Sequence, residues 1–190
     1  MVVTGIIVVV TGVILANNNR FGGVVLLQNL TYDVALSIRQ AQIYGISVAR
    51  FGADPTFSSG YGVDFDLANS NAYTLFADVS NNGLYDCTSP GSGGCELVGA
   101  TTIASGYSIA SLCATAPGGA ETCTGITKLD ILFRRPEPDA WISANGISCV
   151  LQSSDCEESG RVVLQSPRGD TMTVLVDANG QISVENGTVQ

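Results

Sequence analysis

Histidine is absent from this 190-residue chain, and basic side chains are scarce: eight Lys and Arg stand against 17 Asp and Glu, a formal charge of −9. Without imidazole there is no Ser-His-Asp or Cys-His pair to activate a nucleophile, and no histidine ligand for a metal. No CxxC spacing and no GxxxxGK or GxGxxG loop occurs, so the common zinc and phosphate cradles are excluded. The local carboxylate pairs Asp64-Phe65-Asp66 and Glu157-Glu158 read as solvated faces. No enzymatic activity is expected. The acidic balance also argues against a general nucleic-acid or anionic-membrane surface, leaving Arg134-Arg135 and Arg161 with Arg168 as scattered surface charges. Charged residues make up only 13% of the chain, with abundant Gly, Ser, Thr and Asn. That is the texture of a β-rich, turn-rich extracellular domain.

What is there begins at the first residue. Met1 to Ala16 reads MVVTGIIVVVTGVILA, with no charge and no proline. As a helix it would span roughly 24 Å, slightly short of the roughly 30 Å hydrocarbon core of a bilayer. Such a stretch sits in a membrane, packs against other copies of itself, or is a targeting segment. A secretory signal would need a basic start and a small-residue cleavage site, and neither is present.

The apolar segment ends at Asn17-Asn18-Asn19-Arg20, and the following Gly22-Gly23 weakens the helix over 17–23 by roughly 1 kcal/mol per glycine. Leu27, Leu30, Val34, Ile38, Ala41, Gly45 and Val48 then recur every three or four residues, with Gln28, Asp33, Ser37 and Gln40 on the other side. This spacing predicts an amphipathic helix over 24–48 with one face for a core. From Phe51 onward the pattern changes to short strands over 61–66, 73–77, 96–103, 129–134, 146–151, 161–165, 171–176 and 181–184. Asn82-Gly83, Pro117-Gly118, Asn145-Gly146, Pro167-Arg168-Gly169 and Asn179-Gly180 are the turns between them. The expected fold class is α+β: a long N-terminal helix, apolar in its first half and amphipathic in its second, packed on an antiparallel β domain. The expected units are an apolar helix over 1–16, a weakened stretch over 17–23, and a globular domain over 24–190.

Six cysteines form three close pairs, Cys87 with Cys95, Cys113 with Cys123 and Cys149 with Cys156, each bracketing a turn-rich loop. An even count clustered this way points to an oxidising compartment. Local pairing staples each loop, although other connectivities and free buried thiols stay open. The segment Asp78-Val79-Ser80-Asn81-Asn82-Gly83-Leu84-Tyr85-Asp86 matches the first half of a calcium loop. Asp78, Ser80 and Asn82 offer oxygens at positions one, three and five, glycine stands at six, Leu84 offers a carbonyl and Asp86 a carboxylate at nine. Ser89 replaces the bidentate glutamate at position twelve, so the loop is not an EF-hand. A polar turn rich in Asn and Gly is the competing reading.

An apolar helix continuing into an amphipathic one that ends near LSIRQAQIYGISV, followed by a β domain, resembles a type IV pilin or pseudopilin. The stretch LLQNLTYDVALSIRQAQIYGISV is similar to the helix of the minor-pilin and type II secretion branch, and Val2-Val3 with Ile6-Ile7 resembles the family's apolar start. The resemblance covers the first fifty residues well and the β domain in outline. Family precursors carry a basic leader, a glycine before the cleavage site, then a phenylalanine and a glutamate. None is present, so Met1 is expected to lie just past that glutamate. The family's helix-breaking proline is also absent, with Ala16-Asn17 near its place.

The resemblance implies a structural subunit of an extracellular type IV pilus-like filament on the bacterial cell surface. Its partners would be copies of itself in a helical homopolymer or related pilins, and the inner membrane before assembly. The helix would assemble through Val2, Val3, Gly5, Ile6, Ile7, Val10, Gly12, Ile14 and Leu15, with small residues such as Gly5 and Gly12 letting helices approach closely. Some pseudopilins carry a calcium loop, which favours that reading of the 78–86 segment. Whether the role is adhesion, motility, DNA uptake or secretion stays open. The alternative is a membrane-anchored, ligand-binding ectodomain that never polymerises.

Overall fold

A computed structural model describes residues 2–47, 51, 59–87, 95–150 and 156–186, with the backbone alone for 14–21. The chain begins with α1 (Val2–Ile46), whose described side chains fall in two stretches, Val2–Val13 and Gly22–Ile46. Ten strands follow: β1 (Gly60–Asp66), β2 (Ala72–Asp78), β3 (Leu97–Thr102), β4 (Ser108–Thr115), β5 (Glu121–Thr122), β6 (Lys128–Phe133), β7 (Ala140–Ala144), β8 (Ser159–Gln165), β9 (Thr171–Asp177) and β10 (Ile182–Asn186). They form two five-stranded antiparallel sheets, in the orders β3-β2-β1-β6-β7 and β10-β9-β8-β4-β5.

This arrangement corrects the expected fold class. The molecule is α+β, but the helix is not packed on one sheet. It touches β1, β2 and β6 of the first sheet and β8, β9 and β10 of the second, and its described core residues all lie in the Gly22–Ile46 stretch. Leu27, Val34, Ile38 and Ala41 enter a core shared with Val63, Phe65, Leu129, Ile131 and Ile142 from one sheet and Leu112, Val162, Leu164 and Val174 from the other. The physical reason lies in the strands. In Leu129–Phe133 and Val162–Leu164 consecutive residues are buried, as happens when both faces of a strand are covered. Phe76 and Leu132 are buried outside that shared core, Phe76 with its ring 5.6 Å from Tyr85.

Two close approaches fix the layers. A Cβ on Gly45 would lie 2.3 Å from the carbonyl oxygen of Phe133, so the end of α1 rests directly on the β6 backbone. A Cβ on Gly160 would meet Leu129 and Ile142 at 3.1 and 3.2 Å, which brings β8 against β6 and β7.

The amphipathic reading of 24–48 is corrected on its outer side. A helix turns 100° per residue, so Val25, Tyr32, Leu36 and Ile43 fall within about 40° of one another, opposite Leu27, Val34 and Ile38. These four are 50–65% exposed. The helix therefore carries an apolar stripe on the side away from the core, and Val48 lies outside the described residues. The strand expected over 146–151 is irregular where it is described, because Asn145 (φ 53°) and Gly146 (φ 76°) turn the chain out of β7. Strands β4, β5 and β7 were not expected; SIASLCAT and AWISA mix small and polar residues that blur the alternation.

Candidate functional site

The 78–86 loop is organised by carboxylates that accept from its own backbone. Asp78, fully buried at the end of β2, takes the N–H of Asn82 at 3.0 Å, the N–H of Gly83 at 3.1 Å and the Ser80 hydroxyl at 3.3 Å. Asn81 and Gly83 reach left-handed geometry (φ 57° and 76°), which lets successive N–H groups point inward. The amide oxygen of Asn82 accepts from Leu84 N–H, and its Nδ2 donates to Asp86 at 2.6 Å.

Glu96, which sequence reading missed, completes the ring. Its two oxygens accept the N–H of Ser80 at 2.8 Å and of Asp86 at 3.1 Å. The Cys87–Cys95 disulfide closes the chain just before it and so sets Glu96 against the loop. Burial lifts both Asp78 and Glu96 above the usual carboxylate range, against the pull of these backbone donors. The clue in the sequence was position: a lone acid directly after a cysteine, at the mouth of the loop it closes.

Beneath the loop lies a second polar cluster. Asp64 on β1 and Asp130 on β6 stand directly opposite each other in the register, which corrects the reading of Asp64 as part of a solvated face. Asp130 Oδ1 accepts the Tyr85 N–H at 3.1 Å, tying the loop to the sheet. Lys128 places its Nζ 3.5 Å from Asp64 and 3.8 Å from Asp130, donates to the Tyr85 carbonyl and sits 5.9 Å from the Tyr85 ring centroid. Burial and the facing Asp64 charge push Asp130 up to about 8. Burial disfavours the Lys128 ammonium, but the two carboxylates outweigh it and hold its pKa above the ordinary value. Among the described residues Asp64 Oδ1 and Asp130 Oδ2 find no hydrogen-bond donor, so the Lys128 charge is what faces them. The cluster binds loop to sheet through charge, beside the Phe76–Tyr85 ring contact.

All three local disulfides form: Cys87–Cys95, Cys113–Cys123 and Cys149–Cys156. They fit an extracellular or otherwise oxidising environment. Among the described residues no three His, Cys, Asp or Glu side chains stand in an arrangement that could hold a metal. Arg161, one of the scattered arginines, is held between Glu121 at 2.7 Å and Glu185 at 2.8 Å.

Of the residues expected to assemble, Val2, Val3, Ile6, Ile7 and Val10 are 50–77% exposed, as are Val8, Val9 and Val13 beside them. A Cβ on Gly5 or Gly12 would meet nothing within 4 Å. The side chains of Ile14 and Leu15 lie outside the described residues. Among those described, no helix is long and apolar enough to cross a membrane. No family model, curated protein or solved structure matches this chain.

Proposed function

We propose that this chain is a structural subunit of an extracellular, type IV pilus-like filament that assembles through its N-terminal helix. The observation carrying the reading is the Val2–Val13 stretch: uncharged, apolar around most of its circumference with Thr4 and Thr11 on one side, and with eight large aliphatic side chains at least half exposed. A helix with so wide an apolar surface requires burial in something. Covering each Val or Ile contributes roughly 1.5 kcal/mol or more. Eight of them together reach the order of 10 kcal/mol, comparable with the roughly 4–15 kcal/mol that association costs. The outer stripe Val25, Tyr32, Leu36 and Ile43 extends the same kind of surface along the domain half of α1. Copies of this chain or related pilins would cover both, after storage in the inner membrane.

The test is electron microscopy and sedimentation of purified chain with Ile7→Asp and Val9→Asp variants. Wild type is expected to form thin filaments that disperse in detergent. Each variant should remain dispersed while its domain melts at an unchanged temperature, because neither side chain touches the core. A wild-type chain that stays a monodisperse monomer without detergent refutes the reading and favours the non-polymerising ectodomain.

Calcium at the 78–86 loop belongs to the same proposal. Asp78, Ser80, Asn82, the Leu84 carbonyl and Asp86 would supply oxygens, with Glu96 beside them, once the carboxylates turn toward an ion from the N–H groups that they now accept. The clasp of Asp78 on the N–H groups of positions five and six supports a loop already bent for an ion. Titration with calcium chloride should raise the melting temperature. No shift at millimolar calcium removes this part of the reading.

A further inference from the structure

We propose that the cleft between β7 and the β9–β10 turn binds an organic cation, the ammonium or guanidinium end of a lysyl or arginyl side chain presented by a partner protein. The cleft has a volume of about 560 Å³, within the range of small-ligand sites. Trp141, the only tryptophan of the chain, lies along it, together with Asp139, Glu157, Glu158 and Asn179.

Its walls are fixed before any ligand arrives. Ala140 N–H donates to the Ala178 carbonyl at 2.8 Å, Ala178 N–H to the Glu158 carbonyl at 2.8 Å, and Glu157 N–H to the Ile142 carbonyl at 3.0 Å. The Cys149–Cys156 disulfide closes a further side. These contacts join the edge of the first sheet to the turn of the second, so the cleft is a permanent feature of their junction.

The lining selects the class of ligand. Among the described residues three carboxylates line the cleft and no basic side chain does. Glu158 accepts the Gly118 N–H at 3.0 Å. Burial raises Glu157 above its ordinary pKa, and a cation beside it would offset that cost. An indole face attracts a cation and carboxylates accept its N–H donors. A neutral sugar could use the Asn179 amide and the Trp141 N–H as well, but three carboxylates against these two donors favour a ligand built of donors and carrying positive charge. The chain's charge of −9 draws cations toward the surface in the same direction.

The solitary tryptophan makes the test direct. The full chain, dispersed in detergent, is titrated with Nα-acetyl-lysinamide, Nα-acetyl-argininamide and the neutral methyl glucoside while Trp141 fluorescence is followed. Saturable changes with the two cations, weakened by salt, are expected. Binding should fall at least tenfold in Glu157→Gln, and Asp139→Asn serves as the second variant should the first misfold. No saturable response to either cation overturns the proposal. So does an equal response in the correctly folded variants, or saturation by methyl glucoside alone.

Discussion

Replacing Asp130 by asparagine should make the folded protein less sensitive to alkali. Asp130 is fully buried and keeps its proton to about pH 8, whereas an unfolded aspartate releases it near 3.8. Between those values the folded chain binds a proton that the unfolded chain has lost. Stability therefore falls as pH rises through this window, by up to about 1.4 kcal/mol per unit. Over the four units this reaches the order of 5 kcal/mol, a large share of a typical domain's 5–15 kcal/mol. Asparagine has no proton to lose, keeps an oxygen for the Tyr85 N–H, and turns an amide donor toward Asp64. Urea unfolding of both proteins at pH 5, 6.5 and 8 is the assay. The variant should be modestly more stable at pH 5 and gain on the wild type at each step. Asp78 and Glu96, also raised by burial, give both proteins a slope of the same sign, so only the difference between them is diagnostic. Parallel profiles, or a variant weaker than wild type at pH 8, would refute the account of a proton held on buried Asp130.

Gly45→Ala should destabilise by about 1–3 kcal/mol even though alanine is the better helix former by roughly 1 kcal/mol, because its methyl would sit 2.3 Å from the Phe133 carbonyl; thermal melts decide the sign. Gly22→Ala, where a Cβ meets nothing within 4 Å, should raise stability slightly and is the matched control. Removing the Cys113–Cys123 disulfide with paired serines should cost about 2–3 kcal/mol, the loop-closure value for a separation of ten residues, measured by urea midpoint. Phe65→Ala, at the centre of the shared core, should cost about 3–5 kcal/mol and lower the cooperativity of unfolding in both sheets together.

Local signals carried much of the secondary structure and little of its assembly. The glycines at 83, 118, 146, 169 and 180 take positive φ, as their turn motifs required. Cysteines close in sequence found one another across single loops. What alternation could not reveal was that the strands divide between two sheets. A run such as Val162-Val163-Leu164 shows that both faces are covered but not by what. The same ambiguity hid the polar cluster. Asp64 and Asp130 lie in different strands far apart in the chain, and only the β1–β6 register sets them face to face. Glu96 joined the acidic loop for a similar reason, through the disulfide at Cys95.

The helix makes the most consequential difference between pattern and structure. Its core face could be read from spacing, because Leu27, Val34, Ile38 and Ala41 recur on one side. Its outer face was expected to be polar, and Gln28, Asp33 and Gln40 are indeed there and exposed. But Val25, Tyr32, Leu36 and Ile43 interleave with them at spacings of seven, four and seven, a second periodicity on the same turns. A monomer gains nothing from keeping four such side chains at least half exposed in a row, since each forgoes part of the roughly 1.5–3 kcal/mol that burial offers. The folded domain leaves this stripe and the Val2–Val13 stretch open, and neither is needed to complete its core. Substitutions along the stripe, Leu36→Ser for example, should therefore leave the domain's melting temperature nearly unchanged and weaken self-association. Loss of domain stability with self-association intact would assign the stripe to folding instead.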